Sequence, residues 1–166
     1  TARAKYVTKA ADQNGLQYRF GFDPAARLGS RGRIHRWLLA RVDDLSGQSI
    51  RYEYGKDQGQ AYLESVQWGP EDRFHCQLSY EARPDPVLSF ATGQRVQTAQ
   101  RLQQLEVRVG TVLRHRWNLT YASDEGTSRL ANVERQGREG EGSLPRISFD
   151  YLGAGEAAME IWRSEP

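Results

Sequence analysis

Apolar and polar residues alternate one by one along several stretches of this chain, and no other feature limits its fold so strongly. In Phe74-His75-Cys76-Gln77-Leu78-Ser79-Tyr80, the residues Phe74, Cys76, Leu78 and Tyr80 fall on one side of an extended backbone, with His75, Gln77 and Ser79 on the other. Successive strand side chains point to opposite faces of a sheet, so the pattern predicts a half-buried β-strand. Ile50-Arg51-Tyr52-Glu53-Tyr54, Leu105-Glu106-Val107-Arg108-Val109 and Ile147-Ser148-Phe149-Asp150-Tyr151 repeat it. Further strands are expected over 16–22, 33–42, 63–68, 112–121 and 129–135. Residues 87–105 fit two readings. Thr98, Leu102 and Leu105 share one face of a helix, but the extended reading is favoured.

Turn formers separate these runs: Asp12-Gln13-Asn14-Gly15, Asp43-Asp44-Leu45-Ser46-Gly47, Lys56-Asp57-Gln58-Gly59, Asp124-Glu125-Gly126 and the glycine-rich 137–142. Asp and Asn bond their own backbone and Gly accepts positive φ, so each cluster reverses the chain at little cost. Strand, turn and strand again predict an all-β fold of meandering antiparallel hairpins. Two stretches echo each other. Ala11 to Phe20 and Asp43 to Tyr54 both run from an acidic turn through a glycine into a strand with aromatics at alternate positions. Such units cannot bury an apolar face alone and need neighbours in an array.

Composition narrows the function classes. With 166 residues, 38% hydrophobic and 27% charged, the chain is long enough for a core and globular in character. Its net charge is +2, with basic and acidic residues mixed along the length, so no basic stripe for nucleic acid is expected. Cys76 is the lone cysteine, which excludes an internal disulfide. No apolar run approaches the ~18 residues of a membrane span.

An ordered set of motifs resembles one family. Trp37-Leu38-Leu39-Ala40-Arg41-Val42-Asp43-Asp44-Leu45-Ser46-Gly47-Gln48-Ser49-Ile50-Arg51-Tyr52-Glu53-Tyr54 is similar to a segment of the SpvB-like and insecticidal toxin-complex B proteins. Tyr62 to Gly69 resembles the segment that follows it. Arg83-Pro84-Asp85-Pro86, with Arg95 to Thr98 and Arg101-Leu102, resembles an "R-P-D-P … V-R-T … R-L" block, and Leu144 to Tyr151 a recurring strand. Gly47-Gln48 stands where the family has Gly-Asn, and Pro145-Arg146 where it has Pro-Pro. Both departures lie in turns or at strand starts.

The resemblance implies a large chain whose strand-turn repeats, related to Rhs and YD-repeat shells, enclose or carry a toxic C-terminal domain. Residues 1–166 would then be one β-rich shell segment of a larger chain, with candidate internal units 1–42, 43–82 and 83–166. Its partners would be adjoining shell segments, other toxin-complex subunits and the enclosed toxic domain, in a secreted or extracellular complex. Neither nucleic acid nor a membrane span is expected. The rival reading is a free-standing β-sandwich that binds glycan or protein through exposed aromatics.

Residue chemistry offers no catalytic constellation, and neither a cofactor nor a metal is expected. His35, His75 and His115 are evenly spaced but form no His-x-His or His-x-x-x-His pair. Cys76 alternates with Phe74 and Leu78, as a small buried hydrophobe would. Asp43 and Asp44 are adjacent, point apart in a turn and are expected to serve it. Trp37, Trp68, Trp117 and Trp162 are the candidate binding platform, weighed against a packing role, since Trp37, Trp68 and Trp117 each sit inside an expected strand.

Overall fold

The computed structural model describes residues 8–30, 33–124, 126–142 and 144–151. Twelve strands follow in order: β1 Thr8–Ala11, β2 Gln17–Phe20, β3 Arg27–Ser30, β4 Arg33–Trp37, β5 Leu39–Asp43, β6 Ser49–Asp57, β7 Gln60–Trp68, β8 Phe74–Ser89, β9 Val96–Val109, β10 Val112–Asp124, β11 Thr127–Gln136 and β12 Ile147–Ser148. Ten pair antiparallel in the sheet order β1-β2-β5-β6-β7-β8-β9-β10-β11-β12, and β3 and β4 form a separate ribbon. The all-β meander that the alternation predicts is therefore the fold. Residues 87–105 are extended, as favoured, but they turn back between Ser89 and Val96, so they supply the ends of two strands.

The expected strand 33–42 divides at Leu38. Its amide donates to the Ala26 carbonyl at 2.8 Å, and its carbonyl accepts from the Gly21 amide at 2.7 Å. Those bonds fasten Leu38 to the short 3₁₀ turn Pro24–Ala26, leaving β4 in the ribbon and β5 in the main sheet. The run expected over 147–151 is strand only at Ile147 and Ser148, although the Phe149 amide still donates to the Ala131 carbonyl of β11 at 2.9 Å.

The two sequence echoes fold into the same turn. Asp12 Oδ1 accepts from the amides of Asn14 and Leu16, both at 2.9 Å, and Asp44 Oδ1 accepts from Ser46 and Gln48 at 2.9 and 2.8 Å. Each turn closes on a glycine of positive φ, Gly15 at +81° and Gly47 at +85°. The backbone needs that left-handed residue, which glycine adopts without steric cost. Asp43 and Asp44 point apart as expected, but only Asp44 serves the turn; Asp43 instead lies 2.5 Å from Arg41 Nε and 2.7 Å from Arg19 Nε, the latter an ion contact with its N–H off line.

Alternation does not translate into one buried and one wet face. Among the described residues only Ala26, Leu28, Ala40, Val42, Tyr62 and Leu113 are buried and apolar, and β9 is half-buried along almost its whole length. Part of the cause lies in five β-bulges among the described residues of the main sheet. Ala40, Glu64, Gln103, Arg114 and Ala131 are each an extra residue opposite a partner strand that has none. One inserted residue exchanges the faces of everything beyond it, so a strict two-residue period cannot run the length of these strands.

Candidate functional site: a tyrosine seam and an arginine clasp

Four of the bulges, at Ala40, Glu64, Gln103 and Ala131, are joined by a repeating contact. Beyond each of these four an aromatic residue sits opposite a leucine: Phe20 and Leu39, Tyr54 and Leu63, Tyr80 and Leu102, Tyr121 and Leu130. Each leucine carbonyl then accepts a tyrosine hydroxyl from the strand on its other side. Tyr54 donates to Leu39 at 2.8 Å, Tyr80 to Leu63 at 2.8 Å, Tyr121 to Leu102 at 2.5 Å and Tyr151 to Leu130 at 2.9 Å. The result is a seam that crosses the sheet from β2 to the residues just past β12. Burial pushes the Tyr54, Tyr80 and Tyr121 phenols above their ordinary pKa, so near neutrality they remain protonated donors.

Local sequence builds this seam. A bulge frees a carbonyl from the ladder, and a buried carbonyl left unpaired is costly. The repeated pattern is an apolar residue, any residue and an aromatic, followed later by Leu-x-x-aliphatic. Tyr52-Glu53-Tyr54 with Leu63-Glu64-Ser65-Val66, and Leu119-Thr120-Tyr121 with Leu130-Ala131-Asn132-Val133, are two copies. The echo of two stretches captured the turns but missed this longer register, because turns of unequal length separate its halves.

A second arrangement gathers residues of the family-like block. Between Ala82 and Val87, strand β8 leaves its register with β9, so the four residues from Arg83 to Pro86 span the gap opposite Ala99. Pro84 and Pro86 lack N–H groups and break the ladder. Tyr62, buried and edge-on to Tyr80 at 5.1 Å, accepts the amides of Ala99 and Gln100 at 3.0 and 3.2 Å. Asp85 crosses to the start of β11, where it accepts the Ser128 amide at 2.7 Å and the Ser128 hydroxyl. Arg83 holds Asp85 through Nε and Nη2 at 3.1 and 2.9 Å. Arg101 donates to the Ser128 hydroxyl at 2.8 Å and to Glu81 at 2.6 Å, with its guanidinium 4.3 Å from the Tyr121 ring centroid.

Chemically this is a fastening. Arg83 and then Ser128 hold the Asp85 carboxyl well below the usual carboxylate range, so it stays ionised and is a poor general base at neutral pH. Burial pushes the Cys76 thiol up, away from a reactive thiolate. His115 contacts Arg135 at 3.2 Å, while His35 and His75 lie on β4 and β8. Among the described residues no three His, Cys, Asp or Glu side chains are grouped to hold a metal ion.

The candidate platform is spread across the fold. Trp37 ends β4, and a Cβ at Gly21 would lie 2.4 Å from its ring. Trp68 ends β7, stacks on Phe74 at 5.8 Å and lines a cleft of about 220 Å³ with Leu16, Val42 and Ile50. Trp117 lies in β10, with the His115 ring 5.6 Å away and the Arg135 guanidinium 5.5 Å from its ring. Strands β8 and β9 separate Trp68 from Trp117. Trp162 lies outside the described residues.

No protein-family model matches the chain, and no curated protein does. Solved structures do. The N-terminal domain of the effector protein SpvB from Salmonella typhimurium strain LT2 is similar over 79% of this chain and 61% of that one, with a TM-score of 0.69 at 18% identity. A TcdB2-TccC3 structure without the hypervariable C-terminal region matches 86% of this chain with a TM-score of 0.78 at 17% identity. The Photorhabdus luminescens Tc holotoxin pore matches 86% with a TM-score of 0.76 at 18% identity. The chain spans 61% of the SpvB structure and 10% of each of these toxin-complex chains. The likeness expected from the ordered motifs is thus met in the fold: this chain folds as do parts of SpvB and of the toxin-complex proteins.

Proposed function

We propose that the chain is a non-catalytic wall segment of a bacterial toxin-complex shell, one that encloses or carries a toxic C-terminal domain. The tyrosine seam is the observation that carries this reading. It repeats by strand pairs, so it suits a sheet that grows by adding hairpins. The sheet also leaves apolar side chains uncovered, among them Leu144, Ile147 and Phe149 near β12. Neighbouring segments of the same chain would cover them, as array architectures require. Other toxin-complex subunits and the toxic domain are the further partners, in a secreted or extracellular assembly. The fold shared with TcdB2-TccC3 supports the same reading.

The test is a cryo-electron microscopy map of the intact protein. The sheet should continue into neighbouring strands beyond β1 and β12 and form part of the boundary of a closed cavity. A map in which this sheet stands alone in solvent overturns the proposal.

A free-standing binding module is the second reading, and the Trp68 cleft favours it, because Ile50 at its wall is partly exposed beside a stacked indole. Glycan-array binding that disappears in Trp68→Ala would support it. Binding that persists in that variant would remove it.

A further inference from the structure

Residues 24–42 hold five of the chain's 23 basic residues, namely Arg27, Arg31, Arg33, Arg36 and Arg41, and none of its 21 acidic ones. The rest of the chain is therefore net −3, and the whole positive excess lies in this one stretch. Averaged over the full length the charge is mixed, which hides this local excess.

The fold puts Arg27, Arg33 and Arg36 of this stretch on the β3–β4 ribbon and Arg41 on β5. Arg41 is engaged by Asp43, and elsewhere Arg51, Arg83, Arg101, Arg108 and Arg116 all have carboxylate partners. Arg33 and Arg36 are exposed and make no ion pair among the described residues. Arg27 donates to the carbonyls of Gly21 and Phe22 at 2.6 and 3.1 Å and likewise has no carboxylate among the described residues.

Against the ribbon, the β6–β7 and β8–β9 turns close a cleft of about 440 Å³, lined by Arg27, His35, Lys56 and Arg95 with Asp57 as its acidic member. His35 is the extra residue of a bulge in β4, since Leu28 faces Arg36 and Gly29 faces Ile34. A bulge re-aims its side chain, and His35 Nδ1 is buried without a hydrogen-bond partner among the described residues. An adjoining cleft joins His35 and Arg36 to Ser89 and Ala91, at the arm whose Leu88 and Phe90 are 49% and 62% exposed.

We propose that the ribbon and these clefts dock an acidic polypeptide segment that carries apolar residues between its carboxylates. Carboxylates would meet Arg33, Arg36 and the cationic cleft, and apolar side chains would lie along Leu88 and Phe90. Arginine suits carboxylates through its paired donors. Nucleic acid fits less well. Tight phosphate tracking uses roughly six to ten contacts, more than this short ribbon offers, and the ribbon's one aromatic, Trp37, is wedged against Gly21 rather than presented for stacking. This proposal goes beyond the wall reading and does not depend on it.

Fluorescence anisotropy of the intact protein tests it, with a labelled peptide alternating Glu with Leu and Phe as the probe. Binding at low salt should weaken about tenfold or more in R33E/R36E and by less in R33A/R36A, and Arg114→Glu, an exposed change in β10, should leave it within about twofold. Circular dichroism of each variant confirms that it folds. Absence of peptide binding, equal losses in R33E/R36E and Arg114→Glu, or tighter binding of duplex DNA or of anionic phosphatidylserine vesicles would each overturn the proposal.

Discussion

The Tyr80 hydroxyl donates to the Leu63 carbonyl at 2.8 Å, on the side of β7 away from the strand in which Tyr54 faces Leu63. One leucine thereby ties three consecutive strands at a bulge. Replacing Tyr80 with Phe keeps the ring and removes the donor, leaving a part-buried carbonyl short of a partner. The expected loss is about 1 kcal/mol in urea unfolding, with a smaller loss for Tyr151→Phe, whose bond is exposed. Equal and negligible losses in both variants would show that the seam contributes nothing.

High pH should weaken the same seam. Burial raises the folded-state pKa of Tyr54, Tyr80 and Tyr121 above that of the unfolded chain. The folded state therefore holds its protons longer, and stability present below about pH 10 is lost as pH rises through the folded values. Melting temperature should fall across that range, and the fall should be shallower in Tyr80→Phe. A slope unchanged by the substitution would contradict the assignment.

Acid should loosen the clasp. Asp85 is depressed by Arg83 and Ser128; at Glu106 burial pushes upward, but Arg108 and Arg116 outweigh it and hold the group below its ordinary value. Both groups bind fewer protons folded than unfolded, so their contribution is present above about pH 4 and declines as pH falls below that. Asp85→Asn should melt lower than the parent at pH 7 and show a shallower decline in acid. A melting curve for Asp85→Asn that matches the parent at every pH would rule the clasp out.

The paired turns supply an internal control. Gly15 and Gly47 have almost the same φ, but a Cβ at Gly15 would lie 2.7 Å from Leu45 Cδ1, whereas Gly47 has nothing within 4 Å. Leu45 is 80% exposed and free to swing away. Alanine should therefore cost about 1 kcal/mol at either site, the backbone strain alone. A clearly larger loss at Gly15 in denaturant unfolding would mean that Leu45 locks the two turns together.

Strand positions and turns were legible because alternation and Asp/Gly chemistry act locally. Arg83, Asp85 and Arg101 could be quoted in order, but their meeting at Ser128 could not, since it depends on β8 breaking register and reaching β11. Nor could the face assignments hold. His75 was expected on a polar face opposite Cys76, yet both are half-buried, because one sheet with uncovered faces does not separate inside from outside sharply. The split at Leu38 escaped detection for a similar reason: the bonds that divide 33–42 come from Gly21 and Ala26, well back in the chain.

The seam's four bulges carry a geometric consequence. Each extra residue bends its strand and adds right-handed twist. Because they recur in β5, β7, β9 and β11, every second strand adds an increment of bend on the same line of the sheet. The total bend of such a surface is then a countable quantity, set by how many Leu-x-x-aliphatic copies the chain encodes, and deleting a single bulge residue such as Gln103 would flatten the arc at one known place.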